Sequence, residues 1–190
     1  YKTGTKKFDL REVYYGLDCQ MLLYLFTLER NGGHLFSQGT AAGVEYLWAD
    51  PAPENIIRPE TDDAEPLQAQ NYPLEGLLLD EPSIYHAMDT RGTGAFVPLS
   101  FSAKTGEPTA QSAKARLADR EKFNRIRDHL DGMLTDMAKN LYSGEIDAAP
   151  LVPNAGKSPC LWCEYRTVCR HADGEGERTP LKPDDPFGTE

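Results

Sequence analysis

No stretch of this sequence approaches the roughly 20 consecutive apolar residues that a membrane-spanning helix requires. No basic-then-apolar secretory leader is readable either. Cysteine is scarce, with four in 190 residues. Cys160, Cys163 and Cys169 crowd together near the end, and Cys19 stands alone within a helical pattern. Secreted disulfide scaffolds are short and cysteine-dense, so disulfides are not expected. Cations are also short, because 20 Lys and Arg face 30 Asp and Glu for a net charge of −10. Phosphate contact needs clustered Lys and Arg, so this stretch is not expected to bind nucleic acid unaided. Residue 1 is Tyr, which fits either a processed mature chain or an internal piece, and the sparse cysteines favour a piece of a longer cytoplasmic protein. What is present, 39% hydrophobic and 26% charged residues, suits a soluble globular chain long enough for one core.

The best-signalled helix follows the basic turn that ends at Lys7. Asp9 is a good N-cap, Glu12 completes a capping box, and Phe8 with Val13 can form a hydrophobic staple. Val13, Leu17, Met21, Tyr24, Leu25 and Leu28 then recur at helical spacing, until Asn31-Gly32-Gly33 ends the run. Residues 43–48 read as a strand, and the Pro- and acid-rich residues 49–73 as a surface loop. Pro82 opens a short helix to Met88. Residues 96–101 read as an edge strand, Pro98 confining it there. A long helix is expected from about Asp119 to Tyr142, with Phe123, Ile126, Leu130, Met133, Leu134, Met137 and Leu141 forming one apolar stripe. Its methionines read as core filler, and Ser143-Gly144 stops it. The charged, Pro-rich residues from Gly174 onward read as surface cover. Strands alternating with helices indicate an α/β layer structure.

Two constellations could carry chemistry. In Cys160-x2-Cys163-x5-Cys169 a turn between thiolates lets the sulfurs converge on one soft metal. A tetrahedral zinc site or an iron–sulfur cluster normally takes four ligands, so a fourth must come from Cys19, from His171 or from another segment. Three reduced structural cysteines and a zinc site remain open beside the favoured iron–sulfur cluster. Trp162, Tyr165 and Val168 would shield such a cluster from water. The second constellation is Lys2 with Gln20 and Tyr24. Gln20 and Tyr24 are four apart and share a helix face, one that also holds Leu17 and Met21 and is expected to point toward the core. A strand-borne Lys facing a helix-borne Gln and Tyr is nuclease-like: Lys can stabilise a scissile phosphate, and Gln can orient water or a phosphate oxygen. Alternatively, Gln20 merely satisfies a buried strand edge. The carboxylates that would hold a divalent metal are missing from this pattern.

Tyr1-Lys2-Thr3-Gly4, followed by Gly16-Leu17-Asp18-Cys19-Gln20-Met21-Leu22-Leu23-Tyr24, resembles the DYK-[ST]-G and G-L-x-x-Q-x-x-x-Y motifs of AddB-type proteins of ATP-dependent helicase/nucleases, in the PD-(D/E)XK superfamily. The resemblance continues through Gly76-Leu77-Leu78-Leu79-Asp80, Ala87-Met88-Asp89 and Ser143-Gly144-Glu145-Ile146 to the cysteines. Residues 49–73 match least. It implies a restriction-endonuclease-like α/β core over residues 1–150, an iron–sulfur cysteine segment over 151–173 and a polar tail over 174–190.

By the same resemblance Lys2 is the catalytic lysine, Gln20 and Tyr24 belong to the catalytic helix motif, and the backbone carbonyl of Tyr1 is a ligand of Mg²⁺. The residue before Tyr1 would be a metal-binding Asp. Cys160, Cys163 and Cys169 match three of four ligands of a [4Fe–4S] cluster that staples distant segments, and Cys19 matches no ligand position. The implied parent is a Mg²⁺-dependent DNA exonuclease. It would work with an AddA-type helicase/nuclease subunit as a heterodimer in recombinational repair of double-strand breaks, and the 190-residue piece alone would be inactive. The competing reading from another class is a non-catalytic zinc-binding interaction domain, with His171 as fourth ligand.

Overall fold

The computed structural model describes residues 7–34, 39–47, 74–152, 158–169, 171, 175–180 and 185–188. Contacts divide the chain into two compact units, Tyr1–Asp9 with Asp18–Arg127 and Leu10–Leu17 with Asp128–Glu190. The sequence expectation set boundaries at 150 and 173.

In the first unit, β1 (Gly43–Leu47) pairs antiparallel with β2 (Leu74–Leu79), and β2 pairs parallel with β3 (Leu117–Ala118). The register sets Val44 opposite Leu77 and Tyr46 opposite Glu75. Since side chains alternate along a strand, Val44, Tyr46, Leu77 and Leu79 share one face while Leu78 takes the other. The register requires a glycine at 76, because a Cβ there would run into the carbonyl oxygen of Val44. On the Leu78 face a buried cluster joins Leu78, Tyr85, Val97, Leu99 and Leu117, with Phe101 and Ala113 packed against it. Leu78 and Leu117 come from β2 and β3, and the others from α3 (Pro82–Met88), α4 (Ala110–Arg116) and the segment between those helices. Pro82 sits in the first turn of α3, as its fixed φ favours. Thr109 caps α4 by accepting from the Ser112 amide.

The expected strand at 96–101 does not form. Val97 and Leu99 are buried as an alternating pattern requires, but the cluster takes them without a partner strand. Only Phe101 makes an isolated bridge, to Pro108.

The first helical signal also resolves differently, as two helices. α1 is Leu10–Tyr14 and α2 is Gln20–Asn31. The Leu17 amide bonds to the Glu12 carbonyl at 2.9 Å and the Gly16 amide to Val13 at 3.0 Å, the 6→1 and 5→2 bonds of a Schellman stop. Gly16 occupies its left-handed position with φ 81°, and Asp18 is also left-handed with φ 56°. This break resets the helical phase, so α2 buries Leu22 and Phe26, and Tyr24 and Leu28 face outward. The Phe26 ring meets Phe123 edge-on at 6.5 Å.

The long helix forms as read, as α5 (Arg120–Ser143). Asp119 Oδ1 accepts from the Lys122 amide at 2.6 Å, an N-cap bond. Phe123, Ile126 and Leu130 are buried, whereas Leu134, Met137 and Leu141 are exposed. The stripe is thus core for its first half only.

In the second unit, Tyr14 stacks on His129 at 4.7 Å and Phe187 meets both rings edge-on. His129 Nε2 lies 2.8 Å from the Tyr14 carbonyl oxygen. A carbonyl can only accept, so that nitrogen carries the hydrogen. Gly16 leaves room for Met133, whose sulfur a Cβ would meet at 2.8 Å. Phe187 is only 4% exposed, so the tail does more than cover surface.

Candidate functional site

The N-terminal amphipathic signal produces α2, and α2 presents the first candidate pair. Gln20 Nε2 donates to Tyr24 Oη at 2.8 Å. Gln20 is exposed and Tyr24 is 53% exposed, so the expected core-facing orientation is corrected. The stop at Gly16 turned their face outward, so Gln20 is not buried against a strand edge. One turn-spanning hydrogen bond leaves the Gln20 amide oxygen as an acceptor and the Tyr24 hydroxyl proton as a donor, both accessible to a ligand. Lys2 and Tyr1 lie outside the described residues.

Behind this face, Cys19 is buried, and burial pushes its thiol up from 9.0. Burial also pushes the Tyr46 hydroxyl up, and the charge of Cys19 adds to that. A thiol so placed resists ionisation and makes a poor metal ligand.

Two carboxylates of the first unit escaped the sequence reading as separate features. Asp89 is 1% exposed. Its oxygens accept from the Arg91 amide at 3.3 Å, the Thr93 hydroxyl at 3.2 Å and the Ala95 amide at 3.1 Å. Burial opposes its charge, but these loop donors outweigh burial and hold the carboxyl below 3.8. Glu45 on β1 is treated oppositely, since burial pushes it above 4.5 and its Oε1 is buried without a hydrogen-bond partner among the described residues. Asp89 had a sequence signal only as part of Ala87-Met88-Asp89; nothing marked Glu45.

The second candidate region begins at Ser158, whose hydroxyl accepts from the Cys160 amide at 3.3 Å and caps a 3₁₀ turn, Pro159–Trp162. A turn at 164–165 leads into α6 (Arg166–Cys169). Cys160 is half-buried, Cys163 and Cys169 are exposed, and all three are free thiols. His171, two residues on, has a buried Nε2 without a hydrogen-bond partner among the described residues. Three thiols and an orphaned imidazole nitrogen within 12 residues fit a thiophilic metal in donor chemistry. Among the described residues no three His, Cys, Asp or Glu side chains are gathered as a metal cage, so binding would have to draw these donors together. Trp162 and Tyr165 are exposed, not folded over the thiols as the shielding expectation required.

No helix of the described residues is long and apolar enough to cross a membrane. Comparison with known proteins adds the lineage. The chain is 29% identical over 174 residues to the B component of an ATP-dependent helicase/deoxyribonuclease from Clostridium botulinum (strain Loch Maree / Type A3). It is 30% identical over 175 residues to the protein of the same name from Clostridium kluyveri, and 29% identical over 177 residues to that of Exiguobacterium sibiricum. Each match covers 90% of this chain and 15% of the relative, so the chain spans about 15% of their length. Residues 1–170 match the PD-(D/E)XK nuclease superfamily, and with its mixed sheet and flanking helices the chain belongs to that superfamily.

Proposed function

We propose that this chain is the nuclease portion of an AddB-type helicase–deoxyribonuclease protein, which hydrolyses DNA phosphodiesters in the cytoplasm beside an AddA-type partner during recombinational repair of double-strand breaks. The observation that carries this reading is the solvent-facing Gln20–Tyr24 pair in a chain of a nuclease superfamily. Lys2 would bring its ammonium to the scissile phosphate. The Gln20 amide oxygen accepts from the attacking water or from Lys2, and the Tyr24 hydroxyl donates to a phosphate oxygen. Tyr24 also fixes the Gln20 rotamer, so orientation is set before substrate arrives. A bound Mg²⁺ supplies charge neutralisation at the phosphate and a more acidic water. The Tyr1 carbonyl would be one of its ligands, alongside carboxylates contributed from elsewhere in such a protein.

In the cysteine segment, Cys160, Cys163 and Cys169 would hold an iron–sulfur cluster of the [4Fe–4S] type together with one further thiolate. A second reading rests on the orphaned His171 Nε2. It would make this segment a Cys3His zinc site serving interaction, not catalysis. Metal analysis of an intact AddB-type protein decides, since iron with sulfide supports the cluster and zinc alone the alternative.

The test of the nuclease reading is Gln20→Ala in an intact AddB-type protein with its helicase partner. Loss of one positioning hydrogen bond in a preorganised site costs on the order of 2–4 kcal/mol, roughly 30- to 1000-fold in cleavage rate. ATP-driven unwinding should be unchanged. Normal cleavage per folded molecule would remove Gln20 from the site. The 190-residue polypeptide alone, given DNA and Mg²⁺, is expected to leave the DNA intact, and robust cleavage that survives Lys2→Ala would sink the lysine assignment.

A further inference from the structure

The chain enters the cysteine segment and leaves it through one clamped point. Leu151 and Arg178 form a parallel bridge. The Val152 amide donates to the Arg178 carbonyl, and the Arg178 amide to the Pro150 carbonyl, each at 2.9 Å. The Arg178 guanidinium reaches back as well, Nε donating to the Ala149 carbonyl at 2.8 Å. One residue therefore makes three hydrogen bonds across the mouth of a loop that contains all three clustered thiols and His171.

Further along, Phe187 is anchored. Phe187 inserts against Tyr14 and His129 at ring distances of 5.7 and 5.4 Å. Its amide donates to Asp185 Oδ1 at 3.3 Å, which shapes the turn that presents the ring. The tail thus contributes a clamp at one end and an apolar anchor at the other. Ahead of the clamp, the described part of the cysteine segment buries little, with Cys163, Trp162, Tyr165 and Val168 all exposed.

We propose that Arg178 is a positioning residue for a thiophilic metal centre, closing the mouth of the cysteine loop before metal binds, with Phe187 as a second, more distant anchor. This rests on the metal-binding reading of Cys160, Cys163 and Cys169. The physical reason is entropic. A metal that gathers three thiols must order the loop that carries them, and a loop whose ends are already joined has less freedom to lose. Ligand identity lies with the cysteines and affinity partly with the clamp.

The test uses the 190-residue protein, reduced and anaerobic, titrated with Co²⁺ as a spectroscopic probe of thiolate coordination. Hydrogen exchange at the Val152 and Arg178 amides is followed in the metal-free protein. The unsubstituted protein should develop thiolate-to-cobalt absorption that Cys160→Ser diminishes. Arg178→Ala should weaken Co²⁺ binding roughly three- to tenfold, the worth of about one net hydrogen bond. It should also speed exchange at both bridge amides while the amides of α5 stay protected. Arg178→Lys, which keeps a donor near Ala149, should recover part of the affinity, and Phe187→Ala should lower it by a smaller factor. Unchanged cobalt affinity in Arg178→Ala, with the bridge amides exposed, overturns the clamp and leaves the cysteine ligands standing. Absence of thiolate–cobalt absorption in the unsubstituted protein overturns the metal reading, and the clamp's role with it.

Discussion

The sheet-centred cluster and the cysteine segment hold their shapes by different means. Around Leu78, side chains from β2, β3, α3 and α4 bury one another, and the amides of the loop after α3 converge on a buried Asp89. Around Cys163 the chain has short helical turns, exposed aromatics and a hydrogen-bonded mouth. The first region is stabilised by what it removes from water. The second is held at its ends and presents its reactive atoms. A region of the first kind can be stable alone, whereas the second has its strongest available crosslink in a ligand that it does not supply.

The sharpest way to break this contrast is paired truncation. Leu78→Ala removes a nearly fully buried side chain and should cost about 2–5 kcal/mol. Val168→Ala, at an exposed site, should stay within about 0.5 kcal/mol. Urea unfolding of both metal-free proteins measures the difference, and equal costs would show that the cysteine segment has a core of its own.

A smaller effect is expected at Asp89. Asp89→Asn keeps the shape but gives up one acceptor oxygen, and should cost about 1–3 kcal/mol at pH 7. The folded carboxyl lies below its ordinary 3.8, so the unfolded chain binds the proton more readily. Its stabilisation is therefore complete above about pH 4 and lost as pH falls through the folded value. The gap between parent and mutant should close over that acid range in unfolding curves taken at several pH values. A gap that stays constant would mean that the charge contributes nothing.

The smallest perturbation is chemical. Maleimide at neutral pH should label Cys163 and Cys169 quickly, Cys160 more slowly and Cys19 last, because Cys19 is buried and its thiol is pushed up. Peptide mapping of a time course reads the order, and early labelling of Cys19 would show that the α2 packing opens readily.

Features with a local chemical cause were legible in the sequence. Pro82 marked α3, and Asp119 with Phe123, Ile126 and Leu130 marked the start and buried face of α5. The stop at Gly16 was overlooked, because apolar residues on both sides keep helical spacing and so masked the glycine that the left-handed end of α1 uses. That one misreading turned Gln20 and Tyr24 inward. Residues 96–101 looked like a strand because Val97 and Leu99 alternate, yet alternation reports burial and not pairing. In α4, AQSAKAR lacks an apolar stripe, so the helix went unseen. Arg178 sat in a charged, Pro-rich stretch where its bonds to residues 149–152 had no sequence signature. Among the site residues, the four-residue spacing of Gln20 and Tyr24 was readable, but the hydrogen bond joining them was not, since it depends on the side-chain rotamers.

The left-handed joint at Gly16 also bears on how this protein can be divided. Leu10–Leu17 groups with Asp128–Glu190, while the chain on either side of that short stretch groups with the sheet. The second unit is therefore discontinuous, and no single cut releases it whole. A polypeptide beginning at Asp128 would leave His129 without the Tyr14 carbonyl, Phe187 without one of its two rings, and Met133 without the bare glycine surface beside it. Anyone transplanting the cysteine segment into another protein would have to carry α1 with it, as a separate strip of sequence more than a hundred residues away.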